Sequence, residues 1–224
     1  MTIQLHRLFR LHTLWALGTA ALLLCGCSLR PSSAVAQPAI IPSVVDTFSE
    51  EPAPRPVDVW LIPLEGFPNN YVTDLVERLT KDTGLRIRAT VSAGRSPAMA
   101  FPDGNQFNSD KIISELRPAM AGLSDSATPK TVYVILTTDD INQGDRSLRF
   151  VFAVTEPQYN VAVVSIARMQ QDQTPVLTKI RLFKMTKKAV GTLYYHHPRN
   201  TDMNSVMYSP IMGLDDLDMI GTDY

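Results

Sequence analysis

Past residue 27 this 224-residue chain holds two histidines, His196 and His197, and no cysteine, which limits its metal chemistry before any fold is considered. Neutral imidazole and carboxylate are zinc donors, so His196, His197 and Asp202 form one candidate ligand set. The plainer reading of two histidines before Pro198 is a polar loop. Adjacent residues cannot share a helix face, whereas ligands at i and i+4 lie one turn apart on the same side. The other two histidines, His6 and His12, and both cysteines, Cys25 and Cys27, belong to the leader. A three-histidine site, a thiolate site and a disulfide are therefore arithmetically out of reach for the rest of the chain. Metal-assisted hydrolysis also needs a base for the bound water, and no glutamate follows Glu156.

The histidines sit in a segment, 183–213, that reads as a helix end, a His-His-Pro break, a polar loop and an apolar turn, Ser205-Val206-Met207-Tyr208-Ser209-Pro210. Upstream, Lys184, Lys187 and Lys188 suggest a solvated helix face with stems lying along the surface. In the alternative, Lys188 directs one fixed positive charge into a cleft. Tyr194, Tyr195 and Tyr208 combine apolar area with a hydroxyl, as a wall that binds peptide or sugar would. Core packing is the default for at least one of them, and Met207 reads as core.

Earlier elements must hold that segment in place. Val57 to Pro63 runs into apolar residues as a first strand, which Pro63 stops. Asn69 or Asn70 caps a helix whose Val72, Leu75, Val76 and Leu79 follow the i, i+3, i+4, i+7 pattern, and Gly84 ends it. Leu85 to Val91 alternates as an edge strand with Leu85, Ile87, Ala89 and Val91 turned inward. Ser109 caps a second helix, bearing Ile112, Ile113 and Leu116, that stops before Pro118. Thr131–Leu136 is apolar enough for a central strand covered on both faces; Phe150–Val154 and Val161–Ile166 are two more. A long helix from about Leu177 to Tyr195 crosses beneath them. Strands alternating with helices predict an α/β fold, a mixed, largely parallel sheet with crossover helices.

With 21 basic against 22 acidic residues, the charge gives no sign of a nucleic-acid partner. Residues 1–26 read as a signal peptide: Arg7 and Arg10 precede an apolar run, Leu14–Leu24, too short to span a bilayer comfortably. Leu24-Cys25-Gly26-Cys27 resembles the lipobox of bacterial lipoproteins, which implies a lipid on Cys27. It also implies a membrane-anchored place in the cell envelope, facing the periplasm or exterior. An ordinary signal peptide cut near Ala34-Val35-Ala36, or an uncleaved anchor, is the alternative. Loss of residues 1–26 leaves 19 basic and 22 acidic residues, a mildly acidic chain. Residues 27–56 carry six prolines (Pro31, Pro38, Pro42, Pro52, Pro54 and Pro56), cannot bury enough apolar surface to order themselves, and read as a flexible tether. Its coil span is roughly 30 Å. The globular domain is then 57–224.

Several blocks of that domain resemble the archaemetzincins, a branch of the metzincin zinc peptidases. Asn105-Gln106-Phe107-Asn108-Ser109 is similar to their R-Q-Y-x-S helix start, and Leu136-Thr137-Thr138-Asp139-Asp140-Ile141 to a strand end. Phe150–Ala153 with Val161–Met169 is similar to their N-F-V-F-G…V-A-V-V-S-L-A-R-L block. Ser205–Pro210 is similar to the methionine turn, and Leu214–Asp218 to the helix after it. The resemblance implies a metzincin-like fold with a long active-site-type helix, and zinc held by H-E-x-x-H-x-x-G-x-x-H. With Gly191 on the motif's fourth residue, Lys188 and Thr192 take the two helical histidine positions and Ala189 that of the glutamate. Lys188, Ala189, Thr192, Met207 and Tyr208 then mark a vestigial site without catalytic residues. The function this implies is a lipid-anchored pseudoenzyme, without cofactor, that binds a peptide or protein in or beside the former cleft. The alternatives are a working zinc peptidase with unusual ligands and a purely structural envelope lipoprotein.

Overall fold

A computed structural model describes residues 55–144, 148–172 and 174–224; the expected signal peptide, Cys27 and nearly all of the expected tether lie outside the described residues. The described residues fall within one compact unit, and no helix among them is long and apolar enough to cross a membrane.

Three apolar runs make the centre of the sheet: β1 at Val59–Pro63, β4 at Val132–Thr137 and β7 at Val161–Ser165. Each is buried throughout except at Tyr133. Such runs need cover on both faces, which crossover helices supply. Short strands complete the sheet, β2 at Ile87–Ala89 and β6 at Ala153–Glu156, in the order β2-β1-β4-β7-β6. The pairings β1 with β2, β1 with β4 and β4 with β7 are parallel. Only β6 runs antiparallel, with Ala153 opposite Val164 and Glu156 opposite Val161. A separate two-residue ladder joins β3, Phe107–Asn108, to β5, Ile141–Asn142.

Strand alternation sorts the core into two layers. Val134, Leu136, Ala162 and Val164 face one side, where α1 (Asn69–Thr83) and α3 (Pro175–Leu193) supply Leu75, Leu79, Leu182 and Val190. Ile135, Val161 and Val163 face the other, against Ile112, Ile113 and Leu116 of α2, Ser109–Ala121. The architecture is thus α/β, a mixed, largely parallel sheet between helical layers.

Local departures from the sequence reading have local causes. Asn108, not Ser109, caps α2, its side-chain oxygen accepting from the N–H groups of Asp110 (2.8 Å) and Lys111 (3.4 Å). The helix continues through Pro118 to Ala121. Proline removes one hydrogen bond there, near the end, while Met120 beyond it is still buried in the core. Pro68 holds the capping position of α1 without a side-chain bond, so Asn69 is the first helical residue; Gly84 ends the helix at φ 71°. The edge strand stops at Ala89, and Val91 is 89% exposed rather than inward. β6 begins at Ala153, later than the apolar run at Phe150 suggests.

Ile135 and Val163 are both fully buried, so truncation to alanine should cost about 2–4 kcal/mol, the usual penalty for a cavity in a packed layer. Val91→Ala should stay within about 0.5 kcal/mol, as exposed substitutions do. Urea unfolding of the three variants checks the contrast.

Candidate functional site

Helix α3 carries most of the candidate residues, and it is covered on nearly every side. Arg181, Lys184 and Lys187 are 2%, 5% and 4% exposed. The expected solvated lysine face does not exist. The sheet lies under α3, α1 beside it, and α4 (Leu214–Met219) and Tyr224 close the sides that the composition marks as polar.

Burying a cation costs several kcal/mol unless it is paired and hydrogen-bonded, and each of these has its own answer. Arg181 donates to both oxygens of Asp218, each at 2.7 Å, lies 2.7 Å from Asp172, and donates to the Met169 carbonyl at 2.6 Å. The hydrogen bond to Asp218, above all, raises its pKa, and in turn Arg181 holds the Asp172 carboxyl below its ordinary range. Lys184 donates to the carbonyls of Leu217 (3.0 Å) and Asp218 (2.8 Å) in the last turn of α4, where carbonyls lack helical partners. Lys187 sits 2.6 Å from Asp82, in the last turn of α1, and 4.7 Å above the Tyr224 ring.

Lys188 differs. Its ammonium donates to the main-chain carbonyl of Tyr208 and makes no ion pair among the described residues. Desolvation, with a smaller push from Arg199, lowers its pKa from 10.5 to about 8.

Below this stretch of α3 lies the apolar turn. Met207 is 1% exposed, and a Cβ at Gly191 would stand 2.8 Å from its sulfur and 2.5 Å from Tyr224 Cε1. Glycine is what lets the turn and the C-terminal tyrosine approach the helix so closely. The Met207 N–H donates to Ser205 Oγ at 3.0 Å, and Ser205 pairs with Asp223, so the final residues brace the same turn. Tyr208 is half-buried and packs against the core.

Of the residues the resemblance assigns to a vestigial site, only Lys188 borders the cleft described below. Ala189 is buried in the core layer, and the Thr192 hydroxyl donates to the Lys188 carbonyl at 3.0 Å. The adjacent histidines finish the helix. His196 turns the chain at φ 57°, and the His197 N–H reaches back to the Gly191 carbonyl at 2.9 Å. The His197 ring stacks on Tyr195 (5.5 Å, 23°) and tilts against Tyr224 (4.8 Å). Asp202 accepts from Asn204 N in an exposed turn, 2.9 Å. His196, His197 and Asp202 are not brought together as a ligand set: among the described residues, no three of His, Cys, Asp or Glu are grouped to hold a metal ion. Nor do the tyrosines make one wall. Tyr194 donates to Asp58 Oδ1 (2.9 Å) and Tyr195 to the Thr83 carbonyl (3.4 Å), tying the end of α3 to β1 and α1, and neither borders the cleft.

The cleft is a half-open hollow of about 390 Å³ between the chain entering β6 and the segment after the apolar turn. Phe150 and Val151 form one wall, Pro210 and Ile211 the other, and Met185 and Lys188 of α3 border it too. Arg149 and Arg199 also line it, and no carboxylate does among the described residues. Both arginines escaped the sequence reading. They come from segments fifty residues apart in the chain, and no spacing relates them. Alongside runs β6, at the edge of the sheet. Phe152 O accepts from Ser165 N, and antiparallel pairs alternate, so Ala153 and Thr155 aim their backbone groups away from β7 toward the outer edge.

No protein-family profile matches this chain, and no curated protein matches it. Three solved structures resemble it. The archaemetzincin of Archaeoglobus fulgidus, complexed with malonate, is 21% identical with a TM-score of 0.60, over 74% of this chain and 94% of its own. The zinc-dependent peptidase of Methanocorpusculum labreanum is 18% identical with a TM-score of 0.64, over 74% and 95%. The archaemetzincin of Methanopyrus kandleri is 21% identical with a TM-score of 0.60, over 77% and 92%. The chain therefore has an archaemetzincin-like fold. Its residues do not fit the zinc ion that such a fold implies. Lys188, at the position the resemblance gives to a ligand, carries an ammonium, Thr192 is committed to its own helix, and no carboxylate lines the cleft among the described residues.

The depressed pKa of Lys188 gives a measurable sign. Unfolded, the lysine stays protonated up to about 10.5; folded, it loses its proton near 8, so between these values the unfolded state binds more protons and stability rises with pH. At pH 7 the cost of the buried charge is fully present. The stability advantage of Lys188→Met over wild type should therefore shrink by about 1–3 kcal/mol between pH 7 and 10.5, after discounting for partial exposure. Urea unfolding of both proteins across that range measures it, and a difference independent of pH would show that the ammonium is not desolvated.

Proposed function

We propose that this archaemetzincin-like domain binds peptides without hydrolysing them, held at a membrane by a lipid on Cys27. The observation that carries the reading is Lys188, whose ammonium bonds to Tyr208 O at the helix position the resemblance gives to a zinc ligand. A fixed cation there repels a divalent ion, and Ala189 and Thr192 provide no base to deprotonate a water. What remains is a recognition surface. The outer edge of β6 presents the N–H and C=O groups of Ala153 and Thr155, and an extended peptide can add to it as a further strand. Its side chains would settle against Phe150, Met185 and Ile211, while a lipid on Cys27 and the proline-rich tether would let the domain stand off the membrane.

A second reading, a working zinc peptidase, is favoured by the character of the similar structures, two archaemetzincins and a zinc-dependent peptidase. Metal content of the purified protein by mass spectrometry, with a peptide-cleavage assay in added zinc, separates the two. Peptide binding requires sub-stoichiometric zinc and no cleavage; cleavage abolished by chelator would establish the peptidase. Thr155→Pro removes an outward N–H without breaking the β6–β7 ladder, and edge strands tolerate proline at such positions. It should leave the melting temperature within a few degrees and abolish peptide binding. For the tether, Cys27→Ser should release the protein from the membrane fraction or leave its precursor uncleaved; normal maturation and membrane association would refute the lipid.

A further inference from the structure

The cleft beside β6 concentrates positive charge that no described carboxylate answers. Lys188, Arg149 and Arg199 border it, none makes an ion pair among the described residues, and no described lining residue is acidic. Elsewhere on α3, Arg181 meets Asp218 and Lys187 meets Asp82, while Lys184 is held by two main-chain carbonyls rather than one. Lys188 has a single carbonyl. A part-buried ammonium with only a neutral carbonyl as partner is poorly compensated, and an anion entering the cleft would relieve it.

Direction decides which anion. β6 runs from Ala153 to Glu156, and the cleft lies at its Ala153 end. A peptide added antiparallel to β6 starts near Glu156 and must end at Ala153, because the Val151 N–H is already bonded to the Ile141 carbonyl (3.3 Å), and this leaves its last residue at the cleft that the cations border. One added parallel would bring an N-terminal ammonium there instead, against three like charges. The geometry and the charge agree on a single orientation.

We infer that the cleft is a site for the C-terminal carboxylate of a peptide, which Lys188 and Arg199 receive while the last side chain packs on Phe150, Met185 and Ile211. Arg149 contributes to the field at the mouth. The inference rests on the peptide-binding reading and deepens it by assigning an end of the peptide and an orientation. The preferred ligands are chains with a free C-terminus and an apolar final residue.

The test uses the full-length chain in detergent and N-terminally fluorescein-labelled hexapeptide pools ending in leucine and lacking histidine, read by fluorescence anisotropy. One pool carries a free carboxylate and its twin a carboxamide. The acid pool should bind about tenfold or more tightly than the amide pool, the margin of a charge-assisted hydrogen bond. Lys188→Met should erase that difference, and Arg199→Gln, at an exposed position that leaves the fold intact, should reduce it. The charged groups facing Lys188 are the guanidinium groups of Arg199 and Arg149, so the wild-type preference should fall as pH rises past about 8, whereas Lys188→Met should be flat. Equal binding of acid and amide pools overturns the carboxylate site and leaves peptide binding standing. Binding of neither pool overturns both. Succinate that competes as strongly as the acid pool would assign the site to a small carboxylate and overturn the peptide terminus.

Discussion

Positive charge buried along α3 is the constraint around which the second half of the molecule is arranged. The helix must lie across the sheet to cover Val134, Leu136, Ala162 and Val164, yet it carries Arg181, Lys184, Lys187 and Lys188 into that position. Each cation is costly to desolvate, so each fixes a neighbour. Arg181 and Lys184 hold α4 through the Asp218 side chain and the last carbonyls of that helix. Lys187 holds the end of α1 through Asp82, and Lys188 holds the apolar turn through Tyr208. The elements that close over α3 are thus placed by charge satisfaction as much as by apolar burial, and a lysine-to-arginine exchange at Lys184, Lys187 or Lys188 would not be conservative.

Within that arrangement the four cations divide by partner chemistry. Where a carboxylate answers, charge is neutralised and the contact is structural. Where only carbonyls answer, as at Lys184 and Lys188, the ammonium keeps its field and loses part of its hydration, which is why both pKa values fall. Lys188 borders the apolar-walled hollow at the end of β6 where the outer edge of Ala153 is unpaired among the described residues. Lys188 presents a positive charge at that hollow, and such a charge attracts anions and repels cations.

The turn beneath the helix shows how closely the remaining pieces are fitted. Gly191 admits both Met207 and Tyr224, and burial of the Tyr224 ring pushes its hydroxyl pKa well up. His197 lies between Tyr195 and Tyr224, and Tyr194 reaches Asp58, so aromatic contacts tie the end of α3 back to the start of the sheet. His197, Tyr194 and Tyr195 make contacts that end α3 and anchor it.

The sequence alone determined the layered α/β fold, because runs such as Val161–Ser165 and Val132–Leu136 can be buried in few other ways, and apolar periodicity is a local property of the chain. It also determined the arithmetic of the site: two histidines and no cysteine past residue 27 hold wherever the chain goes. Several things were decided only in three dimensions. The burial of Lys184 and Lys187 depends on α4 and Tyr224, which arrive from more than thirty residues downstream, so their composition read as solvated. The company of Arg149, Lys188 and Arg199 depends on the crossing of three segments that no periodicity links. The outward aim of Ala153 and Thr155 depends on the β6–β7 register, set by pairing rather than by either strand's own pattern. Local patterns fix which faces are buried; only packing fixes which charges meet.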